Sequence, residues 1–240
     1  MPKRTPMASH SIPPPTFYFQ PWQVIANADA TRRPSMGFYT PMNQTLANVA
    51  VVAATVGTIA FLVPQISKLI RTGDSAGVST TWAALGLVTN VGWFAYMINQ
   101  SLWAAILAPF VTILAYALTM WALVRTGRDP RKSYLVAVVW GVLLMATALL
   151  AGWTTLGVVL GLSYGVMLTP SVWTAFRTAD PSGISSGTWW IGIAEAFLWG
   201  YYGWFHADVG ILTFSVVGLV GSVLILARYH STRGQVEVAV

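Results

Sequence analysis

Seven stretches of this chain are each long enough for a helix to cross a bilayer, and they run almost free of charged side chains. Crossing about 30 Å of hydrocarbon takes roughly 20 mostly apolar residues. The stretches are Leu46–Ile70, Ser79–Ile98, Leu102–Val124, Ser133–Gly152, Thr154–Phe176, Ser185–Phe205 and Val209–Ala227. Turn punctuation separates them, at Thr72-Gly73-Asp74, Gly127-Arg128-Asp129-Pro130 and Asp180-Pro181-Ser182-Gly183. No stretch shows the wide polar face that a helix in a soluble bundle turns to water. Only 8% of the 240 residues are charged, against about 25% in an ordinary soluble domain. That deficit excludes a soluble enzyme, a nucleic-acid binder and a disordered chain. The expected fold class is an all-α membrane protein.

The net charge of +6 is a statement about topology. Lys68, Arg71, Arg125, Arg128, Arg131, Lys132, Arg177, Arg228 and Arg233 all fall on one side of the spans. The opposite short connections, Asn99–Ser101, Gly152–Thr154 and His206–Asp208, hold no Lys or Arg. Basic residues mark the cytoplasmic side, so the expected C-terminus is cytoplasmic and the N-terminus outside, in the plasma membrane. Residues 1–45 disagree, with Lys3, Arg4, Arg32 and Arg33 on the outer side beside a Pro13-Pro14-Pro15 run. They have no apolar core of a signal peptide and read as a disordered tail. Met36 and Met42 are candidate starts of a shorter chain without it.

Sliding the chain by 106 residues superposes Pro64 on Pro170, Arg71-Thr72 on Arg177-Thr178 and Asp74 on Asp180. Gly77 then meets Gly183, Ser79 meets Ser185, Gly86 meets Gly192, Trp93 meets Trp199 and Tyr96 meets Tyr202, with no gap. Chance likeness between apolar helices would match Leu, Val and Ala instead. Residues 46–124 and 154–227 are therefore expected to be two three-helix repeats. Residues 125–153 supply a basic loop and a linker helix, and 228–240 a cytoplasmic tail. With a single linker span the copies enter the membrane in the same direction, as parallel repeats about an axis along the membrane normal.

The 3+1+3 plan, the Pro64-Gln65 pair and the Asp74…Gly77-Val78-Ser79 loop resemble the PQ-loop superfamily, most closely its SWEET sugar-transporter architecture. The resemblance covers about Leu46 to Ala227. It implies a seven-helix carrier that passes a small polar solute, first of all a sugar, by alternating access of two three-helix bundles. It also implies that Gln65 supports the kink at Pro64, although Ser171 replaces Gln in the second copy. SWEET-like proteins carry further prolines in the second helix of each repeat, and spans 2 and 6 here have none. Such chains often associate into homo-oligomers.

Pro64 and Pro170 each remove a helix hydrogen bond and kink the helix, making them candidate hinges. Trp93 with Tyr96, and Trp199 with Tyr202, have the spacing of one helix face. Such aromatics stack on a sugar ring while polar neighbours bind its hydroxyls. The resemblance places a Trp at the matching position in the substrate site and an Asn about 16 residues beyond it. Here those later positions are Pro109 and, within one residue, Phe214 or Ser215. Asn90, Thr89 and Ser215 are the polar residues that could compensate.

Glu195 is the one Asp, Glu, Lys or Arg well inside a span. An ionised group there costs at least about 2–3 kcal/mol. It shares a face with Trp199 and Tyr202 and is a candidate proton carrier or partner for an amine. Asp74 and Asp180, with Ser79 and Ser185, read as turn and capping residues, or as gating contacts to Arg71 and Arg177.

Other chemistry has little footing. No Lys lies well inside a span for a retinal Schiff base, and His10, His206 and His230 are dispersed. The absence of Cys excludes thiolate ligands, and no glycine-rich phosphate loop is present. The expectation is a non-enzyme without cofactor or metal, whose partners are a small solute and the lipid bilayer. A proton-coupled amino acid or metabolite transporter using Glu195, and a non-transporting receptor of the same fold, are the alternatives.

Overall fold

A computed structural model describes residues 41–73, 78–177 and 186–238. Residues 1–40, Asp74, Gly77, Asp180, Gly183 and Ser185 lie outside the described residues, as do the side chains of Pro64 and Gln65. The described chain folds as seven α-helices and one 3-10 turn. They are α1 (Pro41–Thr72), α2 (Thr80–Asn99), α3 (Leu107–Arg125), α4 (Arg131–Ala151), α5 (Trp153–Arg177), α6 (Ser186–Phe205) and α7 (Val209–Val238), with the turn at Trp103–Ala105.

Two boundaries differ from expectation. Helix α1 begins at Pro41 rather than Leu46; proline suits a first helical position because the missing amide has no intrahelical acceptor there. Helix α7 continues to Val238, so residues 228–238 are helical rather than a tail. An apolar span can end while its helix runs on into polar surroundings.

Local chemistry accounts for the ends. The Ser79 hydroxyl accepts a hydrogen bond from the Trp82 amide at 3.2 Å, capping α2. Gly127, at φ +84°, closes α3 with Gly127 N donating to Val124 O and Arg128 N to Leu123 O. The same pair of bonds ends α2 and α6, but with Ser101 (φ +57°) and Ala207 (φ +52°) in the left-handed position. After α2, Ser101 N bonds Ile98 O and Leu102 N bonds Met97 O; after α6, Ala207 N bonds Trp204 O and Asp208 N bonds Gly203 O. These two turns sit at the same 106-residue offset as the sequence matches.

Helix α3 packs against both α1 and α2, and α7 packs against both α5 and α6. The triplets meet where α1 lies against α6 and α2 against α5, while α4 rests on α2 and α5. Gly86 receives the Tyr116 ring of α3, and Gly192 receives the Ser222 hydroxyl of α7. Tyr116 and Ser222 are themselves 106 positions apart. At Gly161 an added Cβ would come within 2.8 Å of the Phe214 amide nitrogen, so glycine lets α5 and α7 approach backbone to backbone.

Among the described residues five helices, α2 to α5 and α7, are long and apolar enough to cross a membrane, α3 together with its preceding turn. Helix α6 has the length but carries Glu195, four Trp and two Tyr. Outward side chains such as Leu135, Leu150 and Val166 are two-thirds exposed or more. Faces of this size need an apolar solvent, and the protein is an integral membrane protein.

Candidate functional site

A cavity of about 650 Å³ lies between the first three and the last three helices. It runs from Ser79 and Thr188, at the first turns of α2 and α6, to Ile211 in the first turn of α7. One end of the bundle carries Arg71, Arg125, Arg177 and Arg228, and the cavity reaches toward this basic end.

Its far wall is aromatic. Phe214 of α7 meets Trp93 at 5.8 Å and Trp199 at 6.1 Å, both edge to face, and stacks on Tyr164 at 4.6 Å. Such pairs prefer these geometries because the ring edge is positive and the face negative. Trp93 and Trp199 line the cavity from opposite triplets, and little of either ring is exposed.

Glu195 also lines the cavity, one helical turn before Trp199. The Thr58 hydroxyl of α1 donates to its Oε1 at 2.9 Å. Gly57 makes the room: a Cβ there would sit 2.9 Å from the same oxygen. Among the described lining residues there is no Lys, Arg, His or Asp.

Other polar groups in the wall are engaged within the protein. Asn90 donates from Nδ2 to Gly86 O at 2.8 Å. Thr89 accepts from Trp140 Nε1 at 3.0 Å, and Thr112 donates to Ala108 O at 2.7 Å. Pro170 lies inside α5 and lines the cavity, as does Pro109.

Three residues expected at the site are elsewhere. Tyr96 and Tyr202 are each 1% exposed and stand behind Trp93 and Trp199, which they meet edge to face at 5.6 and 6.4 Å. Three residues further along a helix is one face but also most of a turn deeper, so the Tyr rings fall in the packed core. Ser215 is buried and donates to Ile211 O at 2.8 Å. At that register the cavity is met by Phe214 instead.

Asp208 sits in a short connection, where sequence position alone marks no role. It is buried, accepts from Ile211 N at 2.8 Å through Oδ1, and accepts from Tyr96 Oη at 2.8 Å through Oδ2. Burial raises its carboxyl pKa above the ordinary value, opposed by bonds from Ile211, Tyr96 and Gly210. The spacing to Ile211 is a capping signal visible in sequence; the partner Tyr96, 112 positions away, is not.

Compared with known proteins, the chain matches no family model, no curated protein and no solved structure. What the arrangement can do must be read from its own groups. Among the described residues no three His, Asp or Glu side chains gather as a metal site. The cavity brings aromatic side chains and one carboxylate to a shared wall.

Proposed function

We propose that this chain is a membrane transporter that passes a small polar solute by alternating access of two three-helix bundles. The observation that carries the reading is the cavity itself, which separates the triplets toward the basic end and ends on the Trp93–Phe214–Trp199 cluster. The paired turns at Ser101 and Ala207 and the paired contacts at Gly86 and Gly192 support an internal parallel repeat. Two similar bundles flanking one site can rock against each other about it. The one-sided distribution of basic residues supports a mouth on the cytoplasmic side. Pro170, in a cavity-lining turn of α5, supports a hinge, because its ring leaves the Val166 carbonyl without the usual amide partner.

The resemblance to SWEET-like and other PQ-loop proteins makes a sugar the first solute to test. A specific observation favours the second reading, a solute or proton handled by Glu195. Asn90, Thr89 and Thr112 each spend one hydrogen bond on the protein, so they meet a sugar with only part of their capacity, whereas Glu195 is the one charged group among the described lining residues. The test is flux into proteoliposomes with a panel of sugars, amino acids and amines, with and without a pH gradient. Glu195→Gln is expected to abolish pH-dependent uptake; pH-dependent uptake that survives it removes the coupling role. Absence of flux for every solute, with binding retained, would turn the reading toward a receptor.

A further inference from the structure

The chemistry of the cavity wall narrows what can occupy it, on the reading that the cavity is the solute path. The described wall holds one charged side chain, Glu195, and no basic residue to neutralise it. Its Oε1 is held by Thr58, and Gly57 clears the space around the carboxyl group, so the group is kept at a defined place. A neutral hydroxyl-rich ligand meets Asn90, Thr89 and Thr112 with part of their hydrogen-bonding capacity already spent on the protein. A neutral ligand offers that carboxyl group no counter-charge, whereas a cation pairs with its ionised form. An anion would meet that carboxylate directly.

The rest of the wall suits a positive charge on an apolar body. Trp93, Trp199, Phe214 and Tyr164 form one contiguous aromatic cluster adjoining Glu195. Ring faces attract a cation placed within about 6 Å of the ring centroid, and Trp does so best. The volume of about 650 Å³ lies in the roughly 300–1,000 Å³ range of small-molecule pockets, ample for an amine carrying an aromatic or aliphatic body.

We propose that the cavity binds an organic cation, with Glu195 as counter-ion to its ammonium group and the Trp93–Phe214–Trp199–Tyr164 cluster seating its body. The Thr58 bond to Oε1 leaves Oε2 as the oxygen proposed to meet the ammonium.

The test uses the full chain in lipid nanodiscs and equilibrium dialysis against radiolabelled probes. 2-Phenylethylamine and choline carry the charge, 2-phenylethanol is the neutral isostere of the first, and D-glucose represents the sugar reading. The amine is expected to bind at least ten-fold more tightly than 2-phenylethanol. Glu195→Gln should erase that preference and Glu195→Asp should retain most of it, with both variants checked for folding by circular dichroism. Trp199→Leu should weaken the amine and its isostere alike. Equal binding of the amine and its isostere, no binding of either cation, or a preference that survives Glu195→Gln overturns the proposal. Counterflow of each probe through proteoliposomes is scored separately. Glucose flux without amine binding overturns the cation site and leaves the transporter. Amine binding that depends on Glu195, without flux of any probe, keeps the site and overturns the transporter.

Discussion

The Tyr96 hydroxyl donates to Asp208 Oδ2 at 2.8 Å, joining the end of α2 to the connection before α7. The bond bridges the two triplets at the end opposite the basic residues, beyond the aromatic cluster. Gly157 and Gly210 are what let the Tyr96 ring reach it: a Cβ at Gly157 would lie 2.5 Å from Cζ, and one at Gly210 would lie 2.9 Å from the hydroxyl. Both residues of the bond are buried.

Tyr96→Phe removes the donor and leaves a buried carboxyl oxygen unpartnered, which costs about 1–3 kcal/mol. The variant is expected to melt at a lower temperature in detergent. A melting curve superimposable on the parent would mean that the bond carries no stability.

Asp208 gives a pH signature. Its carboxyl pKa is raised in the folded chain, chiefly by burial. The folded state therefore holds the proton more tightly than the unfolded one. The resulting contribution to stability is full below the ordinary value of 3.8 and is lost as pH rises through the raised folded value. Asp208→Asn keeps an acceptor for the Ile211 amide and cannot titrate. Melting temperature measured against pH should fall across that window in the parent, and this part of the slope should vanish in the variant. Identical slopes would remove Asp208 as the titrating group.

Gly157→Ala tests the close approach directly. The added methyl meets the Tyr96 ring, which is fixed at its far end by Asp208 and packed on one side by Trp93. Overpacking of this kind costs about 1–3 kcal/mol. The double variant with Tyr96→Leu frees the space, so the two losses should sum to less than additive. Strict additivity of the melting shifts would show that the methyl is accommodated elsewhere.

Helix positions were legible because hydrocarbon thickness imposes a length and a composition that neighbours barely modulate. The aromatic and acidic wall was legible in part for a related reason: Trp93, Trp199 and Glu195 violate the apolar pattern of their helices and stand out. Depth was not legible. Tyr96 and Tyr202 share a face with the cavity tryptophans, and nothing in a three-residue spacing tells a cavity from the core behind it. Phe214 against Ser215 was a question of register between helices, decided by how closely Gly161 lets α7 approach α5. Thr58 and Asp208 found their partners across 137 and 112 positions, contacts that only tertiary packing creates.

The direction of access follows from the same geometry. Thr112 lines the cavity, is nearly buried, and spends its hydroxyl on its own helix, so Thr112→Cys changes little else. The sequence contains no Cys, and a single introduced thiol reports alone. A membrane-impermeant methanethiosulfonate applied to sealed vesicles of known orientation should label it from the basic-end side. From the other side the aromatic cluster and the Tyr96–Asp208 bond stand in the way, and labelling should be roughly ten-fold slower or more. Adding Tyr96→Phe weakens that closure and should raise labelling from the blocked side while lowering it from the open one. Equal labelling from both faces in the parent would mean that the cavity is a channel. Faster labelling from the face opposite the basic residues would mean that the closed end has been assigned to the wrong side.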